Sequence, residues 1–511
     1  MQTRHSAMLH MPFRQPVLLL IAVLFLLAAI LPAMAVSPAR ARDVVGSSAA
    51  PRAPGAETRA DIPPALVFDL ASGRVLLDHD AGRPWHPASL TKLMTAWLVM
   101  WAVDTGRLSF DTEVTISRAV VNGVERGAAK YGLKPGQRMS IRRMLTFLMV
   151  RSDADMALAL AEAVAGGERP FVAMMNRVAR QLGMTGTHYV NCHGMHDPAQ
   201  VTTARDMAVL ARDIYRRFLR RHPQWWRFFS LRRVEKRVID RRTKKPITVR
   251  LKNRNQLLFM MPEADGMKTG FICASGFNLL ATAKRGNTRL GAVVFGRRSA
   301  YNRASVARVL LEEGFRRQRA GVGRARGLTL GRLRNAGGPA TDMTTPICRK
   351  PSLPLVRAEA LSGWGVLLGP VISNLRALAL AEAELLAADL ADDARVRYGV
   401  GGITGEVLRA TGLLKAWRRE ARKHRRRPAP FAALVWNLEE PQAVNICRRA
   451  RTHGVRCTVQ SPRELRALAR IWPAPGARKH RMAGKRARKA SGTSPRPLAG
   501  RRHERKTIRL R

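Results

Sequence analysis

Pro87-Ala88-Ser89-Leu90-Thr91-Lys92-Leu93-Met94-Thr95-Ala96 reads as the opening of a helix, with a hydroxyl at its mouth and an amine one turn further along the same face. Proline is tolerated at a helix start and serine is a favoured cap. A four-residue S-x-x-K arises about once by chance in a chain this long, so its weight depends on its companions. Two such motifs lie downstream in order, Ser152-Asp153-Ala154 and Lys268-Thr269-Gly270. A neutral serine hydroxyl is a poor nucleophile and needs an adjacent base. Lysine serves as that base only when held uncharged, which burial and a nearby cation both promote; Lys268 is the candidate cation for Lys92.

Outward from this stretch the pattern is strand, helices, strand. Ala65-Leu66-Val67-Phe68 turns through Ala71-Ser72-Gly73 and returns along Val75-Leu76-Leu77, a hairpin by alternation and turn chemistry. A second hairpin is predicted for 278–283 and 290–295, turning at Arg285-Gly286-Asn287. Between them, apolar periodicity predicts helices over 90–103, 141–149, 154–164, 170–182 and 203–218, with a last helix over 300–316. Terminal strands enclosing a helical middle imply an α/β (α+β) fold, an antiparallel sheet sandwiched with helices.

Lys268-Thr269-Gly270 falls on a predicted edge strand whose side chains face the helix carrying Ser89. There a lysine attracts a substrate carboxylate and the threonine hydroxyl hydrogen-bonds it. Gly270 permits close backbone approach. The N–H of Phe271 can join that of Ser89 as an oxyanion hole. No cysteine, histidine or carboxylate spacing suggests a metal site, and no cofactor is expected.

These residues resemble the serine D-alanyl-D-alanine carboxypeptidases, the low-mass penicillin-binding proteins of the S11 type. The resemblance runs from about Pro64 to Arg316. It rests on the stretch quoted above, on Asp265-Gly266-Met267-Lys268-Thr269-Gly270-Phe271, on Asn191-Cys192-His193-Gly194-Met195 and on Thr202-Thr203-Ala204-Arg205-Asp206-Met207. It implies a β-lactamase/transpeptidase-like fold and acylation of Ser89 by peptidoglycan stem peptides ending in D-Ala-D-Ala. Lys92 would be the base, Ser152 the proton relay to the leaving amine, and Lys268 the carboxylate binder. β-Lactams would acylate Ser89 as inhibitors. One position departs from the pattern. The family's second motif is Ser-x-Asn, and Ala154 stands where the asparagine is expected. Losing its amide bonds costs about 1–3 kcal/mol, roughly 10- to 100-fold in rate. Asp153 is the nearby polar candidate for compensation. Alternatives to the enzyme are a peptidoglycan-binding scaffold with a weakened site, or a serine β-lactamase, for which no glutamate is evidently placed to activate water.

Residues 1–35 read as a secretory signal: Arg4, His5 and Arg14 precede the apolar run Val17 to Leu31, and Ala33-Met34-Ala35 offers small residues for cleavage. The expected location is periplasmic or otherwise extracytoplasmic, in solution or peripheral to the membrane. Residues 36–61 read as a linker, 62–318 as the catalytic domain and 319–358 as a second linker rich in Gly and Pro. Residues 359–466 show a twofold strand-helix-strand pattern resembling a degenerate SPOR domain, a module whose family binds peptidoglycan glycan strands. Residues 467–511 read as a disordered basic tail.

The formal net charge of +54 is unevenly spread: Lys415 to Arg427 holds eight Lys or Arg residues, and Arg478 to Arg511 holds fourteen against Glu504 alone. The basic insert is expected as a solvated loop, and the tail suits an anionic envelope surface. Export and the lack of aromatic residues interleaved with these charges argue against nucleic acid. Among five cysteines, Cys447 and Cys457, ten apart, are candidates for a disulfide, while Cys192, Cys273 and Cys348 show no evident partners.

Overall fold

Successive strand residues face opposite sides, and the apolar pattern of this chain uses both. Leu66, Phe68, Leu280, Val293 and Phe295 point into one core, and Val67, Leu279, Ala281, Ala292 and Val294 into another. The computed structural model describes residues 62–472 apart from 322–326, 350–352, 354–355, 357–359, 372, 392, 394 and 423–428. The expected signal, the 36–61 linker and most of the basic tail lie outside the described residues.

Five antiparallel strands form the catalytic sheet in the order Val75–His79, Ala65–Asp69, Thr288–Arg297, Gly276–Arg285, Ala264–Ile272. The first core lies beneath a helical lobe centred on Lys92–Asp104, a helix buried on nearly every side. Its companions are Ile141–Val150, Ala154–Ala165, Glu168–Gln181 and Ala204–Ile214. Side-chain caps start several of these helices: Ser140 Oγ accepts from the Arg143 N–H, and Thr203 Oγ1 from that of Asp206. On the other face of the sheet lies Ala300–Arg319, capped by Ser299.

Trp364–Val371, Arg397–Gly402, Phe431–Leu438 and Cys457–Gln460 make a second antiparallel sheet. Its order, 2-3-1-4 in its own chain sequence, is that of a split β-α-β unit. Helices Asn374–Ala387 and Glu440–Thr452 cover one face. Gly405–Ala410, Leu414–Arg422 and Pro462–Ile471 cover the other, around Trp417, Trp436 and Trp472. Both faces of this sheet are thus packed against helices. The second core is continuous from the catalytic sheet through Ala300–Arg319 into this module, for Val306 and Leu310 share it with Ala377, Leu378 and Leu385. The junction also buries ions. Arg297 pairs with Glu382 at 3.0 Å, and Glu313 receives Arg316, Arg317 and Arg449 at 2.6, 2.6 and 2.8 Å.

Three expectations need correction, and one element was not expected. Part of the 319–358 segment is a strap fastened to the catalytic unit rather than a linker. The Val75 N–H donates to Leu328 O, Met343 N–H donates to Ala274 O, Leu330 is buried, and Cys348 is disulfide-bonded to Cys273. The second module extends past residue 466, because Pro462–Ile471 is one capped helix and Trp472 is buried. The start of the basic insert is helical rather than loop, held by buried Trp417. Finally, the hairpin Arg233–Ile239/Pro246–Lys252 is an element the sequence pattern hides, because Lys236 falls on its half-buried face while Ile239 and Ile247 fall on its exposed one. The candidate pair Cys447 and Cys457 is disulfide-bonded, and Cys192 is free and buried.

Candidate active site

Ser89 lies in the 3-10 turn Ala88–Thr91, which runs directly into the helix beginning at Lys92. The loop before it is tied to the sheet from two sides. Trp85 Nε1 donates to Ser275 O at 3.0 Å, and Asn278 Nδ2 donates to His86 O at 2.9 Å. Ala88 (φ 49°) and Ser152 (φ 66°) are both left-handed, a conformation that L-residues hold only under tertiary constraint. Each sets a hydroxyl at the cleft: Ser89 is next in the chain after the first, and Ser152 is the second.

Lys92 is 2 % exposed; its Nζ donates to Ser89 Oγ at 3.2 Å and to His193 O. Burial pulls its pKa down to about 8, with Arg254 pushing the same way and Asp153 opposing. Loss of hydration, rather than the second lysine, is therefore the main cause. Lys268 is 1 % exposed and donates to Ser152 Oγ and to Thr269 O, both at 2.8 Å. Burial first, then Lys92, Arg254 and Arg303, hold its pKa well below the ordinary lysine value. The result is two hydroxyl–amine couples, Ser89–Lys92 and Ser152–Lys268.

A cleft of about 400 Å³ opens onto these couples. Ser89, Lys92, Ser152, Thr269, Gly270 and Phe271 line it, as the sequence led one to expect. Lys268 does not: its ammonium sits behind the wall, engaged by Ser152. Two arginines that sequence reasoning missed, Arg254 and Arg303, line the cleft beside Thr269. Arg303 is clamped, donating to Gly270 O at 3.0 Å and Arg254 O at 3.1 Å. No motif flags either residue, since both reach the site only through the tertiary fold. A Cβ on Gly270 would stand 2.8 Å from Pro87 O, so the edge strand and the serine turn touch there. That contact brings the Phe271 backbone towards Ser89. Ala264–Ile272 pairs on one side only, leaving backbone groups free along the cleft for an extended peptide.

Ala154 lines the cleft where a carboxamide was expected. Asp153 does not line it and cannot take over: it is 5 % exposed, with its pKa raised to about 6 by burial and by Asp155. Asp155 instead holds the opposite wall, accepting the N–H groups of Tyr131, Gly132 and Leu133. Among the described residues no carboxylate lines the cleft and no cluster of His, Cys, Asp and Glu is arranged to hold a metal.

The D-alanyl-D-alanine carboxypeptidase family, peptidase S11, matches residues 49–299. D-alanyl-D-alanine carboxypeptidase DacD of Salmonella typhimurium is 38% identical over 292 residues, which cover 56% of this chain and 70% of that protein. DacD of Escherichia coli is 38% identical over 253 residues, covering 49% of this chain and 62% of that one. Penicillin binding protein 6B from Escherichia coli, a solved structure, is 35% identical across 49% of this chain and 77% of that chain, with a TM-score of 0.44.

Proposed function

This chain belongs to the D-alanyl-D-alanine carboxypeptidase family, and from that membership we propose that it removes the terminal D-Ala from peptidoglycan stem peptides through an acyl-enzyme on Ser89. The observation that carries the reading is the pair of buried hydroxyl–amine couples facing one cleft. Neutral Lys92 takes the Ser89 proton as Oγ attacks the penultimate carbonyl carbon. The oxyanion lies at the N–H groups of Ser89 and Phe271. Ser152, coupled to Lys268, relays that proton from Lys92 to the departing amine of D-Ala, which leaves Lys92 neutral again. The terminal carboxylate lies against Thr269, Arg254 and Arg303, where charge-assisted bonds orient the scissile amide. Water then attacks the ester, and Lys92 accepts its proton and returns it to Ser89 Oγ as the acyl–oxygen bond breaks and the shortened peptide leaves.

β-Lactams are proposed as inhibitors that acylate Ser89, since the strained lactam amide and its adjacent carboxylate occupy the same positions. A periplasmic setting is proposed on the strength of the first 35 residues and of two disulfides. Among the described residues no helix is long and apolar enough to cross a membrane. Anchoring to an anionic surface by the basic tail, and glycan binding by the second module, remain proposals resting on composition and resemblance.

The test is D-Ala release from a stem pentapeptide, read beside the intact mass after benzylpenicillin. Wild type should release D-Ala and gain one penicilloyl mass, and Ser89→Ala should do neither. Sacculus binding without release or acylation in wild type would favour the scaffold reading, for which Ala154 is the motivating residue.

A further inference from the structure

Seventeen residues line the cleft, and Gln256 alone among them carries a carboxamide. We propose that Gln256 supplies the amide absent at Ala154, hydrogen-bonding the backbone of the substrate's acyl half; the proposal rests on the carboxypeptidase reading above.

Three observations carry it. The first is need. A peptide lying along the open edge of Ala264–Ile272 presents its other backbone groups to the facing wall, where Ala129 and Ala154 offer no side-chain donor. Buried peptide groups left without partners cost rate and affinity. The second is placement. The Arg254 N–H donates to Val150 O at 3.2 Å, and Arg254 Nε to Arg151 O at 2.6 Å. Those bonds lash the segment to the chain entering the second motif. Asn255 then fixes the next residue, with Nδ2 on Gly266 O at 3.0 Å and Oδ1 accepting the Leu257 N–H at 3.1 Å. Gln256 is therefore held by its neighbours on both sides while its own side chain is exposed at the cleft. The third is availability. Its amide has no side-chain hydrogen-bond partner among the described residues. Asp153, the other polar candidate, is turned into the protein and does not line the cleft.

The test uses the full chain and four variants: Gln256→Ala, Gln256→Glu, Ala154→Asn, and Gln256→Ala with Ala154→Asn. The readouts are kcat and KM for D-Ala release from a stem pentapeptide, with the benzylpenicillin acylation rate as a check that Ser89 and Lys92 are intact. Gln256→Ala is expected to lower kcat/KM about 10- to 100-fold. Gln256→Glu, the same shape without the N–H donors, should fall at least tenfold. Ala154→Asn alone should change kcat/KM less than about threefold, yet in the Gln256→Ala background it should restore the value to within about threefold of wild type. An active wild type whose Gln256→Ala variant keeps more than half its kcat/KM overturns this inference alone. So does a loss that Ala154→Asn fails to repair, which would mark Gln256 as scaffolding. A wild type that neither releases D-Ala nor is acylated overturns both this inference and the reading beneath it.

Discussion

In the proposed reaction Lys92 sets the pH dependence of acylation, because only its neutral form can accept the Ser89 proton. Burial holds its pKa at about 8, so the reactive fraction grows as pH rises through that value. The penicillin acylation rate is expected to level off above about pH 8 and to fall about tenfold per unit below it. A profile flat between pH 6 and 9 would remove Lys92 from the role of base. Lys92→Met keeps an unbranched side chain and deletes the amine. Acylation should drop about 10²- to 10⁴-fold, the usual contribution of a positioned base. Thermal stability should change little, since relieving a buried ammonium offsets the loss of its bond to His193 O. The positions of Ser89, Lys92 and Ser152 were legible because each motif is short and local. What the sequence could not show was which lysine lines the cleft: Lys268 is expected there as a carboxylate clamp, and the fold instead sets it against Ser152. Arg254, Gln256 and Arg303 were illegible for a similar reason, arriving from segments that touch the motifs only in three dimensions.

The serine turn is supported as an element by the loop 191–195. A Cβ on Gly194 would lie 2.1 Å from Ala88 O and 2.9 Å from the Ser89 nitrogen, and its φ of 81° is one that side chains disfavour. Gly194→Ala should therefore displace the turn. We expect a destabilisation of about 1–3 kcal/mol from the strained backbone, together with a loss of acylation larger than that stability change explains, measured by chemical denaturation and by penicillin labelling at one temperature. Acylation at the wild-type rate would show that the turn accommodates the methyl group. At this scale most helices and both sheet hairpins of the catalytic unit were readable from periodicity, with ends shifted by a few residues. The strap was not, because Gly and Pro in 321–354 suggest freedom, whereas its anchor is a cysteine pair 75 residues apart that no spacing rule discloses.

In the whole molecule the two sheets share the helix Ala300–Arg319, so the second module is packed as a layer of one body. Glu313 stands at that junction. Burial pushes its carboxyl up, but Arg316, Arg317 and Arg449 outweigh this and hold it below the usual carboxylate range. A depressed carboxylate contributes stability that is present above its unfolded pKa and lost as pH falls through the folded one. The junction should hence weaken as pH drops below about 4. Glu313→Gln removes the charge that three guanidinium groups face; it should cost about 3–5 kcal/mol at neutral pH, as broken buried pairs do, and should flatten the acid limb of stability. A denaturation midpoint unchanged at pH 7 would show the cluster to be well hydrated. That the two domains exist was legible from strand and helix patterns. Their fusion was not, because the apolar faces of Ala300–Arg319 look the same whether a neighbour covers them or water does.

The Cys273–Cys348 bond closes a covalent ring around the returning hairpin, the shared helix and the strap. A protease that nicks the backbone between these two cysteines severs the chain without releasing either piece. Everything C-terminal to Cys348 stays attached to the strand end beside Phe271. Electrophoresis of nicked protein should show one full-length band without reductant and two fragments with it, and nicked material should survive purification as one particle.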